Sequence, residues 1–277
     1  MLVDFLYSHP LWLVGLCIIL VCTGVGLAGL YLCHRFIHVE LRRKDNDVVG
    51  LTYAMVAVVY AVLIAFIVVN VFESASKGDE IATAEANQLS NLTVDSAGLP
   101  PEIAQSVRKD LDEYIDIVVD KEWPSQQAGK LDDKAFEPGW TVLGHLSKEL
   151  AAFAPATLGQ NVDKGAMMRD MDELIKSRRS RIEAAGEHLP TVVWQILILG
   201  GLVTLGYTFL FGAENFKMHL AITALMSAMI ALVFVLIVAL DYPFRGEVSV
   251  GDDAFVNVRA TAGKVLAPEK VTPEHSH

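Results

Sequence analysis

Residues 48–72 read VVGLTYAMVAVVYAVLIAFIVVNVF, 25 residues without a charged side chain. A helix needs about 20 apolar residues to cross the hydrocarbon core of a bilayer, so this stretch predicts a membrane-spanning helix. Asp45, Asn46 and Asp47 stand just before it, placed to cap the free N–H groups of its first turn. Beyond it, Glu73, Lys77 and Glu80 continue at helical spacing, and no glycine or proline falls between Leu51 and Ser76. The helix is therefore expected to run on out of the bilayer. Thr52, Val59, Leu63, Phe66 and Asn70 share one face, with Tyr53 and Tyr60 on a neighbouring one. Polar ends around an apolar middle suit a pore wall that gates by dewetting. They equally suit hydroxyls and an amide that only bond neighbouring helices.

Three further apolar runs, residues 11–32, 190–211 and 218–240, predict three more spans. The first lacks a basic leader and is longer than the apolar part of a cleavable signal peptide, so it is read as a span. Its Gly24 and Ala28 form a small-xxx-small spacing compatible with close helix packing. In the third span, Gly200, Gly201 and Gly206 allow close packing or a kink.

The 117 residues from 73 to 189 contain no span and read as helix after helix. Glu73–Leu92 extends the second span. Leu99-Pro100-Pro101 breaks the chain and starts a helix whose apolar face is Ile103, Val107, Leu111, Tyr114 and Val118, ending near Glu122-Trp123-Pro124. Residues 125–133 are expected as a polar loop. Phe136, Trp140, Leu143, Leu146 and Leu150 mark a third helix, interrupted early at Pro138-Gly139. Met167, Met171, Leu174, Ile182 and Ala185 mark a fourth. These stripes read as core rather than as a cofactor box. The fold class is thus an all-α membrane protein with four transmembrane helices and a helical bundle inserted between the second and third. The domain reading is 1–72 as the first helix pair with a basic link, 73–189 as the soluble helical domain, 190–240 as the second pair, and 241–277 as a short tail. In that tail GEVSVGDDAFVNV alternates briefly, suggesting a small strand or a segment docked on the bundle, and disorder is expected after Ala267.

Mean hydropathy of +0.40 with 53% hydrophobic residues fits this split between membrane and soluble parts. Residues 73–189 hold 22 acidic against 13 basic side chains, a difference of −9 out of the chain's −11, which argues against nucleic acid as a partner. Cys17, Cys22 and Cys33 all lie in or beside the first span and form neither a disulfide framework nor a CxxC pair. GxxxxGK[ST], HExxH and GxSxG are absent. Gly24, Gly26 and Gly29 spell GxGxxG, but inside an apolar span without a βαβ unit, so the match carries no dinucleotide site. His34 and His38 have the spacing of a metal pair on a helix, with interfacial histidines as the plainer alternative. His145 and Glu149 read as a surface pair. No enzyme, cofactor or metal site is expected.

Arg35, Arg42, Arg43 and Lys44 sit in the 33–47 link, while the first ten residues carry no Lys or Arg. The positive-inside rule then puts the links inside and residues 73–189 outside, against Lys176, Arg178, Arg179 and Arg181 just before the third span. Arg35, Arg42 and Arg43 are also candidates for attracting anions to a pore mouth, or serve topology alone.

An ordered set of residues carries a resemblance. Asp45-Asn46-Asp47-Val48-Val49-Gly50 leads into Tyr60-Ala61-Val62-Leu63 and Ala65-Phe66. Tyr114 follows with Glu122-Trp123, then Leu189-Pro190 before Trp194, Phe211-Gly212 with Asn215, and Leu240-Asp241 with Pro243-Phe244 and Gly246. Over most of residues 11–258 the chain resembles the bestrophin-like family of bacterial and plant membrane proteins. The resemblance implies kinship with bestrophins, pentameric anion channels with a helical domain between the second and third spans, although the second span lacks their glycine-rich pore entry. It also implies that both termini and the large domain lie in the cytosol, opposite to the charge count. The expected function is a homo-oligomeric, multi-pass channel of the inner (plasma) membrane. Its partners would be the lipid bilayer and chloride or other anions, with Thr52, Val59, Leu63, Phe66 and Asn70 lining the pore. The alternative is a non-conducting membrane-anchored sensor or scaffold that uses the helical domain.

Overall fold

The structure, a computed structural model, describes residues 2–131 and 133–265, the side chains of 2–4 and 262–265 apart; the tail expected to be disordered lies outside these. Among the described residues there are α-helices and no strand. In chain order they are α1 (Leu2–Ser8), α2 (Leu11–Phe36), α3 (Val39–Lys44), α4 (Asn46–Asp95), α5 (Pro101–Ile117), α6 (Trp123–Gln127), α7 (Asp133–Ala152), α8 (Leu158–Gly186), α9 (Thr191–Leu210), α10 (Phe216–Leu240) and α11 (Asp253–Val265). The chain forms two compact units, residues 2–76 with 187–249 and residues 77–186 with 250–265. Helix α4 is unbroken for 50 residues and belongs to both.

Among the described residues, the first unit contains the four apolar stretches long enough to cross a membrane, in α2, the first half of α4, α9 and α10. Glycine lets α2 approach its neighbours. A Cβ on Gly26 would run into the Ser227 side chain of α10, and one on Gly29 would stand 2.5 Å from the Phe209 ring of α9. Gly24 has nothing within 4 Å, so the close contact uses the glycines beside the expected Gly24–Ala28 pair. Gly200 and Gly201 lie against the Tyr60 ring and hydroxyl, and α9 is not interrupted there. Val71, Leu189, Leu197 and Ile237 form a core with Leu63, Ile64, Ile67, Trp194 and Phe234 around it. At its edge Asp241 accepts bonds from Leu189 N (2.6 Å) and Trp194 Nε1 (3.1 Å), tying the start of α9 to the end of α10. Asn215 caps α10 by accepting from Lys217 N and Met218 N.

In the second unit, the stripes read from sequence are core. Val107, Leu111, Tyr114 and Ile115 of α5, Leu143, Leu146 and Leu150 of α7, and Met167, Met171 and Leu174 of α8 are almost fully buried, with Leu89 and Leu92 of α4. Each such side chain contributes about 1.5–3 kcal/mol of burial. Helix α5 starts as expected, with Pro101 in its first turn. Other expectations fail. Pro138 stands inside α7 without ending it, because so near the start the helix loses only one backbone bond. The loop expected from residue 125 begins only after Gln127. For the alternating tail segment the strand fails and the docked segment holds: residues 253–265 form α11, whose buried Phe255 packs on Trp123 at 5.5 Å between ring centres. An alternation that short does not outweigh a helical segment with an apolar face to bury.

Candidate functional site

The exposed arc of the apolar part of α4 covers about half its circumference and runs through Leu51, Met55, Val58, Val62, Phe66 and Val69. The face singled out in the sequence lies along one edge of that arc. Val59 and Phe66 are 70% and 72% exposed and Asn70 is exposed, while Thr52 and Leu63 are half-buried. The Thr52 hydroxyl donates to Val48 O at 2.8 Å, one turn back in its own helix, rather than to a neighbour. Tyr60 turns the other way, buried, and donates to Leu197 O of α9 at 2.8 Å. Between the two helices Met55, Val59, Leu63, Ile196, Leu199 and Val203 line an apolar groove of about 470 Å³. The glycine at 200 leaves room for the Tyr60 ring and so sets how deep that groove is.

The three arginines near the other end of the first unit have different fates. Arg42 is buried: its Nη1 donates to Phe209 O (2.8 Å) and Phe211 O (3.4 Å), satisfying carbonyls at the end of α9. Arg43 pairs with Glu214 at 2.6 Å, both exposed. Arg35 is exposed and has no ion pair among the described residues. Asn46, expected as a helix cap, instead clamps the α9–α10 link, donating to Gly212 O (3.2 Å) and accepting from Gly212 N (2.9 Å). Gly212 is needed there, since a Cβ would press on the Arg43 backbone. His34 and His38 do not form a metal pair on one helix. The chain leaves α2 at Phe36, His38 precedes α3, and His34 stacks on Phe216 with its Nδ1 3.3 Å from Arg42 Nη2.

The second unit holds a cluster that the sequence reading missed. Arg178 and Arg181 of α8 are fully buried. Arg178 grips Glu122 through two bonds of 2.7 and 2.9 Å, and also reaches the Tyr114 hydroxyl (3.1 Å) and Phe136 O (2.9 Å). Arg181 grips Glu85 through 2.7 and 3.0 Å and adds Glu122 (2.9 Å) and Gln126 Oε1 (2.8 Å). Tyr114 donates to Glu85 at 2.5 Å. Burial, and then the Glu85 carboxylate, holds that phenol well above its ordinary pKa, so it stays a donor. Burial opposes the charge on Arg181, but Glu85 outweighs it and the pKa stands above the usual arginine value. Trp140 covers Arg178 at 4.7 Å, and Trp123 and Phe255 cover Arg181. Two arginines against two glutamates leave the cluster neutral, and both forks are bidentate, which is the geometry a buried ion pair requires. Glu122 ends a π-helical turn, Val118–Glu122, that carries α5 towards α6. One signal for this cluster was present in the sequence. The α8 stripe 167, 171, 174, 178, 181, 185 keeps its three-four spacing straight through both arginines.

A family model described as the bestrophin-like domain matches residues 20–255. Among solved structures, a bacterial bestrophin homologue from Klebsiella pneumoniae is similar, at 13% identity and TM-score 0.64, over 88% of this chain and 96% of that one. A crystal structure described only as a membrane protein gives 13% identity and TM-score 0.65 over 87% and 95%. At this identity the likeness is one of fold. No curated protein sequence matches.

Proposed function

The chain belongs to the bestrophin-like family, and we propose that it works as a multi-pass anion channel of the inner (plasma) membrane, built by several copies around an axis lined by α4. In this reading residues 73–189 are a helical domain inserted between the second and third spans. The single observation that carries the proposal is the α4 face itself. Val59 and Phe66 stand 70% and 72% exposed on the uncharged stretch 48–72 of α4, with Asn70 one turn beyond. Phe66 rings from several copies would make a neck that water leaves, so the closed state needs no plug. Leu63 is shared between the neck and the packed groove. Arg35, exposed and without an ion pair among the described residues, is the group that would draw anions to the mouth.

Chloride-loaded liposomes containing the purified, correctly assembled protein test this. Phe66→Ala is expected to wet the neck and raise basal chloride leak, and Leu63→Ser to do the same with some loss of stability. Val58→Ala, on the middle of the exposed arc, is expected to leave leak unchanged. If wild type and Phe66→Ala both stay impermeable while folded and oligomeric, the channel reading fails and a non-conducting sensor or scaffold replaces it.

A further inference from the structure

Ser106 and Asp110 stand one turn apart on α5, and His145 and Glu149 one turn apart on α7, which packs on it. That packing brings a carboxylate oxygen of Asp110, a ring nitrogen of His145 and a carboxylate oxygen of Glu149 within 4.8 Å of one another. Asp110 is buried, 8% exposed, and its Oδ2 lies 2.6 Å from His145 Nδ1. The Ser106 hydroxyl donates to Glu149 Oε2 at 3.0 Å and fixes that carboxylate. The sequence shows only the surface pair His145 and Glu149; the third group comes from 35 residues upstream.

We propose that Asp110, His145 and Glu149 bind one divalent transition-metal ion, Zn²⁺ before others, with a further coordination position left to water. The donor set decides the ion. One imidazole with two carboxylates is within the ligand repertoire of zinc, and three protein ligands leave its tetrahedron open. Calcium takes six to eight oxygens and magnesium an octahedron of them, which this trio does not supply. Two carboxylates balance the dication's charge. Donor atoms on a tetrahedral zinc stand about 3.3 Å apart, so the His145–Asp110 gap must open by well under an ångström. The His145 side chain, 66% exposed, has room to swing by that much. Ser106 is the outer partner that orients Glu149. The bound ion would tie α5 to α7.

The test uses the full-length protein in detergent, stripped with chelator and titrated with Co²⁺ and with Zn²⁺ alone. Expected are one Co²⁺ per chain with the visible bands of a four-coordinate site, and a rise in melting temperature with Zn²⁺. At pH 8.5, where the His145–Asp110 pair adds least to stability, His145→Gln and Glu149→Gln should melt close to wild type without metal, yet lower affinity by at least about 100-fold; Ser106→Ala should lower it about tenfold. His34→Ala/His38→Ala and His275→Ala/His277→Ala should leave the cobalt bands intact. A wild type that retains no cobalt or zinc overturns the proposal, as does binding that survives both His145→Gln and Glu149→Gln.

Discussion

Single residues decide whether the second unit closes. Gly139 faces the Arg178–Glu122 fork, and a Cβ there would come within 2.5 Å of both Arg178 Nη2 and Glu122 Oε1. Alanine normally favours a helix over glycine by about 1 kcal/mol, but here neither contacted group is free to yield. Gly139→Ala is expected to destabilise by about 1–3 kcal/mol, read as a fall in the denaturation midpoint in detergent. Arg181→Met removes the cationic partner of Glu85 and one of the partners of Glu122 while both stay buried, and should cost about 3–5 kcal/mol. The surface behaves differently. The hydrogen bond and charge of Asp110 raise the pKa of His145, Glu149 adds to this and Lys148 opposes it. A raised folded-state pKa means that the pair's stabilisation is fully present below the unfolded value near 6.5, and is lost as pH rises through the folded value. In chelator, the melting difference between wild type and His145→Gln should therefore be larger at pH 5.5 than at pH 8.5; an equal difference at both would show that Asp110 does not hold the proton on His145. The buried arginines were hidden from sequence reading because a basic run before a span resembles a topology signal, and because their carboxylates lie 56 and 96 residues away. No local pattern encodes a pairing over that distance.

At the scale of elements, the apolar runs were legible because a bilayer-length stretch without charges leaves little choice of structure. The predicted continuity of the second span is present in the 50 residues of α4. Inserting Gly-Pro after Glu73 breaks it where neither a cap nor a turn is available, at about 3 kcal/mol for the proline alone, so a clear loss of thermal stability is expected; unchanged melting would show that the two halves of α4 act independently. What the sequence concealed at this scale was the use of each polar residue. Asn46 has the composition of a cap and serves as a clamp on Gly212, and Arg42 has the composition of a surface cation and closes the end of α9. Both depend on a neighbouring helix end whose position only the tertiary structure provides.

For the whole molecule the open question with the sharpest test is sidedness. By the positive-inside rule the Lys and Arg of the 33–47 link would put that link inside, and residues 73–189 outside; family resemblance implies the reverse. In a chain with Cys17, Cys22 and Cys33 replaced, Lys44→Cys and Lys130→Cys report opposite sides. The charge count predicts that an impermeant thiol reagent on intact cells labels Lys130→Cys and not Lys44→Cys. Labelling of Lys44→Cys alone reverses the assignment and puts the acidic bundle in the cytosol. Arg178 and Arg181, which weighed against the charge count, are paired in the folded chain.

The neutral cluster of the second unit also imposes an order on synthesis. A ribosome makes Glu85 first, then Tyr114 and Glu122, and only much later the two arginines that neutralise them. Until residues 178 and 181 have emerged, Glu122 and Glu85 lack their cations and stay in water, so the nascent bundle cannot seal around them. Phe255, which covers Arg181 at 5.7 Å, is translated after all four apolar helices have been made. A chain truncated before it therefore leaves one side of that guanidinium unroofed, so a segment made after the fourth apolar helix completes a charged pocket begun at residue 85.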